Sequence, residues 1–188
     1  GEDVSELLRE ATDALDGLLA NWSDHPLYQN SALLSAIGLR SYWEKKKNLD
    51  LQLQMNERVK SAALNLLDIN GASVEFEKAY LDATLKGAII QLDMDKLDEA
   101  EASWRQAFSQ LKEGDFEIPD LNRFDFSTIV YEFYRKAEGR RERLGEPEAL
   151  RCLQIAEEFA EEILSEDRYL KAVVHLSWLK TKIGRSFE

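Results

Sequence analysis

A chain of 188 residues is long enough for one ordinary domain, or one array of repeats, with a sizeable hydrophobic core. Apolar residues at 44% and charged residues at 32% exclude a disordered composition, and a formal net charge of −12 disfavours nucleic-acid backbones and anionic lipid surfaces as partners. The single cysteine, Cys152, excludes an intrachain disulfide framework and points to a reducing compartment, so a cytoplasmic location is expected. No apolar run approaches the length of a membrane span, and nothing ahead of Val4 reads as a signal peptide.

Glycine and proline are scarce, with proline only at Pro26, Pro119 and Pro147, which favours long helices over a many-turned sheet. A first amphipathic helix is expected over 3–20, where Leu7, Leu8, Ala11, Leu15, Leu18 and Leu19 recur at three and four. Ser23 to Pro26 breaks it and starts a second, 28–46. Asn48 and Asp50 either make a tight turn or lie inside a continuing helix. The third helix, 51–69, stops at Asn70-Gly71, both of which tolerate the left-handed conformation. Ser73 is the expected N-cap of a fourth, 74–92, and Asp95 that of a fifth, 96–112. Residues 113–122 form the longest non-helical stretch. A sixth helix is expected over 123–143, a seventh from Pro147 to 164, and an eighth over 168–183. The fold class is therefore all-α, with about eight helices joined mostly by short turns.

Two of these helices share a pattern. Ala100, Trp104 and Ala107 repeat as Ala149, Leu153 and Ala156: small, bulky four residues on, small again three further. Small residues let paired helices approach closely while the bulky one fills the groove beside them. The preceding helices offer Gly87-Ala88 and Ala137 where a partner would press. With Leu97-Asp98-Glu99-Ala100, and Leu34, Ile37, Gly38 and Ser41 earlier, the chain resembles the tetratricopeptide repeat in a degenerate form. The resemblance implies one domain, 1–188, wound as a right-handed superhelix of antiparallel pairs. Its units would be 28–69, 74–112 and 123–164, followed by a capping helix at 168–184. Two departures stand out: 113–122 spreads the units beyond the usual period of about 34 residues, and the repeat's terminal proline is missing.

Catalytic chemistry finds no support. His25 and His175 have no ligand spacing, and His175 between Val174 and Leu176 fits a structural role. Cys152 reads as a packed thiol. Asp93, Asp95, Asp98 and Glu99 lack the glycine that a calcium loop needs, and Glu157, Glu158, Glu161 and Glu162 fit a solvated face. Neither an enzyme, a cofactor nor a metal is expected.

The resemblance implies a scaffold or adaptor that grips a partner peptide or helix in a concave groove lined by the first helix of each pair. Its register places Tyr42, Trp43, Leu85, Ile89, Tyr131 and Tyr134 there, with Leu39, Leu92, Glu138 and Arg141 beside them. These positions either line an open groove or are covered by another helix of the chain. The Lys and Asn set used on acidic chaperone tails is absent. The alternative function is a regulatory domain that binds an anionic ligand or phosphorylated segment at Arg135, Lys136, Arg140, Arg141 and Arg143. Those cations, like Lys45-Lys46-Lys47, also suit the C-terminal end of a helix dipole.

Overall fold

The computed structural model describes residues 2–71, 73–112, 130–136, 139, 146–166, 177 and 181. Every element among them is an α-helix. They are α1 (Glu2–Asn21), α2 (Pro26–Lys45), α3 (Leu49–Asn70), α4 (Val74–Asp93), α5 (Leu97–Lys112), residues 130–136 (α6) and α7 (Glu146–Glu166). The expected stretch 113–122, and the eighth helix apart from the helical Ser177 and Thr181, lie outside the described residues.

Local chemistry sets the boundaries. Pro26 occupies the first turn of α2, where its missing N–H costs nothing. The connection at Asn48 is a turn, since Lys47 adopts φ 55° and the Asn48 side chain accepts a hydrogen bond from the Leu51 N–H at 3.0 Å. Gly71 closes α3 with φ 75°, donating its N–H to the Leu67 carbonyl at 2.8 Å. Ser73 holds the N-cap position of α4 by backbone only; its hydroxyl makes no capping bond. Asp95 does not lead α5 in the extended backbone of an N-cap: it takes φ 61° within the turn, and the first carbonyl of α5 to accept is that of Lys96, from Ala100.

Consecutive helices from α1 to α5 pack on each other. Ion pairs then join helices two apart in the chain. Arg58 of α3 meets Asp16 of α1 at 2.6 Å, and Arg40 of α2 meets Asp82 of α4 at 3.0 Å. Lys136 of α6 meets Asp93 of α4 at 2.8 Å. Arg105 of α5 meets Glu158 of α7 at 2.9 Å, and Arg151 of α7 pairs with Asp98 of α5. Thus α2, α4 and α6 are tied side by side, while α1 meets α3 and α5 meets α7. Burial opposes the charge on Arg105, but the hydrogen bonds it donates to Glu158 and Glu101 and their negative charges outweigh it and raise its pKa above the ordinary arginine value. The guanidinium is charged throughout the working pH range.

Two hydrophobic clusters meet on α4. One gathers Leu15, Leu33, Met55, Val59, Leu66 and Tyr80 from α1 to α4; the other gathers Leu81, Leu85, Trp104, Phe133, Leu153 and Phe159 from α4 to α7. The patterned residues Ala100, Trp104, Ala107, Ala149, Leu153 and Ala156 are all buried in the second cluster. Trp104 stacks on Phe159 with ring centroids 3.5 Å apart and an interplanar angle of 8°, so the α5–α7 contact is aromatic at its centre. The core among the described residues is thus two clusters in succession along the chain, joined through α4, rather than a single knot.

Two helical glycines separate intrinsic propensity from packing. A Cβ on Gly38 would meet nothing within 4 Å, whereas one on Gly87 would sit 3.0 Å from the Asn56 amide nitrogen. Gly38→Ala is expected to raise stability by about 0.5–1 kcal/mol, the usual helix gain. Gly87→Ala brings the same gain, but Asn56 is held on both sides and cannot retreat, so overpacking of about 1–3 kcal/mol outweighs it. Chemical denaturation of the two variants checks the opposite signs.

Candidate functional site

Opposite edges of α2 and α4 form a cleft of about 530 Å³. From α2 come Arg40 and Glu44, one helical turn apart, followed by Lys47 in the turn. From α4 come Lys86, Ile89, Ile90 and Asp93, at the three-four-seven spacing that lines one helix face. Leu49 and Gln52, at the start of α3, close one end.

The wall is held by a buried polar network. Asn56 of α3 is fully buried; its carbonyl oxygen accepts from Arg40 Nη1 at 2.8 Å and its amide donates to the Ala83 carbonyl at 2.5 Å. The absence of a side chain at Gly87, one turn beyond Ala83, lets that amide reach the backbone of α4. Arg40 Nη2 donates to Asp82 at 3.0 Å, and Lys86 Nζ approaches the other oxygen of Asp82 at 3.2 Å. Arg40 is thus largely committed to structure, while Lys86 is half exposed and Lys47 is exposed on its left-handed turn. Three cations and two carboxylates line the cleft, and Asp93 is already engaged by Lys136. The local balance is mildly positive on a chain of net charge −12.

The residues expected from sequence divide. Ile89 lines the cleft. Tyr42 and Trp43 lie nearby on α2, edge to face at 4.9 Å, with Lys46 over the Tyr42 ring and Trp43 packed against the first cluster. Leu85 is only 4% exposed and Tyr134 only 5%, and Leu92 is buried with them in the second cluster. These three are core residues, not groove anchors, because α4 and α6 turn that face into the interior. Ile89 shares the helix face of Leu85 and Leu92 and packs against the second cluster, but it is only partly buried and also lines the cleft. Tyr131 is partly buried against the same cluster. Arg140 and Arg141 lie outside the described residues, as do Glu138, Arg143 and His175.

Elsewhere, Cys152 is buried in the second cluster and Glu157, Glu158 and Glu161 are exposed. His25 stands at the N-cap position of α2, its ring 4.3 Å from that of Tyr28. No helix among the described residues is long and apolar enough to cross a membrane.

The elements and the cleft define an all-α protein with a charged, half-apolar recess between neighbouring helices. Comparison with protein-family models, curated proteins and solved structures finds no match to the chain.

Proposed function

We propose that the chain is a protein–protein interaction module, a degenerate tetratricopeptide-like stack whose α2–α4–α6 side receives a segment of a partner protein. The cleft between α2 and α4 carries this reading. It offers the partly exposed Ile89 for an aliphatic side chain and Lys47 and Lys86 for one carboxylate, on a wall that the Arg40–Asn56 network holds in place. A fixed wall lowers the ordering cost of binding. The side-by-side ties from α2 to α4 and α4 to α6 support the stacked arrangement, since such ties recur between the first helices of successive pairs. The module acts by holding its partner rather than by catalysis.

The test substitutes the exposed Lys47 and Lys86, which leaves the fold in place, and the partly buried Ile89, whose variant is compared with the parent chain by thermal melt. Lys47→Glu combined with Lys86→Gln is expected to weaken any partner recovered by cross-linking to the intact chain by roughly tenfold or more. Ile89→Gln is expected to do the same through the aliphatic contact. Partners that bind all three chains equally contradict the assignment.

A further inference from the structure

We infer that the groove between α1 and α2 is a second docking surface, fitted to an amphipathic helix of a partner protein that carries Lys or Arg along one flank. The groove is about 450 Å³ and lies on the side of α2 away from the cleft. Ala11, Ala14 and Leu18 line it from α1; Ser35, Gly38 and Leu39 line it from α2. Small side chains on both walls and open space over Gly38 allow an incoming helix to approach closely. Exposed leucines continue the helical stripes of the lining: Leu7, 60% exposed, precedes Ala11, Ala14 and Leu18 on α1, and Leu34, 62% exposed, precedes Gly38 on α2. A single exposed leucine is ordinary, but Leu7 and Leu34 each lie one helical turn from a lining residue and so lengthen the apolar stripe on both helices.

Charge identifies the occupant. Glu6, Glu10 and Asp13 are exposed on α1 at the four-three spacing that runs alongside Leu7, Ala11, Ala14 and Leu18. Arg9 offsets one of them, at 3.8 Å from Glu6. The opposite rim, with Leu27, Ser31 and Leu34 on α2, is neutral. A bound helix therefore meets carboxylates on one flank only, and Lys or Arg on that flank complements them. A second copy of this chain fits poorly, because it brings the same acidic stripe and another −12 of net charge to the contact. Position agrees as well. A helix in this groove lies beside α2 on the side opposite α4, extending the row that Arg40–Asp82 and Lys136–Asp93 already join.

The experiment titrates the full chain into a labelled helix-forming peptide of about 18 residues, long enough to span α1. Its apolar face is Leu and Ala and one flank is Lys; a counterpart carries Glu in place of Lys. Fluorescence anisotropy is expected to show binding of the Lys peptide and a preference over the Glu peptide of roughly tenfold or more. Glu10→Lys with Asp13→Lys is expected to reverse that preference. Gly38→Trp, which fills the open groove without meeting a neighbour at its Cβ, is expected to abolish binding without lowering the thermal melt. The Lys47→Glu, Lys86→Gln chain is expected to bind normally, which keeps this site distinct from the cleft. Equal binding of the two peptides, no binding of either, or retention by Gly38→Trp overturns the inference. A concentration-dependent dimer in sedimentation that Gly38→Trp abolishes also overturns it, by assigning the groove to a second copy.

Discussion

Trp104→Ala is expected to destabilise the chain by about 3–5 kcal/mol, the range for truncating a fully buried aromatic. Trp104 is wholly buried, stacked on Phe159 at 3.5 Å and parallel to Phe108 at 5.0 Å, and it is flanked by Ala100 and Ala107. Alanine neighbours have no side chain long enough to fall into the space it leaves, so the cavity persists and the cost stays at the upper end. For a chain of this size roughly 2–4 °C is lost per kcal/mol, so the melting temperature is expected to fall by about 10 °C. The loss should also be uneven. With two clusters meeting only on α4, hydrogen exchange is expected to quicken in α5 and α7 before it does in α2 and α3. Equal acceleration along the whole chain contradicts a core laid out as two clusters in succession.

Arg40→Met is the second large effect, with an expected cost of about 2–4 kcal/mol. The substitution keeps most of the aliphatic volume but leaves the Asn56 oxygen, fully buried, without the donor that now sits at 2.8 Å. Asp82 loses less, because its carboxylate is partly exposed and Lys86 remains beside it. Asp82→Asn is accordingly expected to cost under about 1 kcal/mol. Arg40→Met combined with Asn56→Leu should cost clearly less than the sum of the two single changes, since removing both polar partners leaves neither stranded. A denaturation cycle on the four chains checks this. Additivity shows that Arg40 and Asn56 are not energetically coupled.

Helix class and most boundaries were legible in the sequence because they are local properties. Pro26, Asn70-Gly71 and the three-four apolar spacing act within a few residues, and the helices end where those residues put them. The turn at Asn48 was ambiguous because its signal is the left-handed backbone of Lys47, a conformation that lysine seldom adopts. Asp95 misled for the same reason: aspartate both caps helices and tolerates positive φ, and here it takes the second option. The cleft was only partly legible. Ile89 came from the repeat register, but Leu85 and Tyr134 did not separate from it, because α4 is buried on two sides and apolar spacing does not say which side stays open. Arg40 and Asn56 were missed, although each interrupts a core stripe: Arg40 follows Leu33 and Ala36, and Asn56 precedes Val59 and Ala63. A charged or amide residue in an apolar stripe is the sequence signal of a buried polar network, and its partners come from α4, far along the chain.

Hydrogen exchange on the intact chain, alone and saturated with a cross-linked partner, tests the interaction-module reading most directly. The α2–α4 cleft predicts added protection at residues 40–52 and 86–93, lost from the Lys47→Glu, Lys86→Gln chain. Protection that leaves both segments unchanged, with the partner bound, contradicts it.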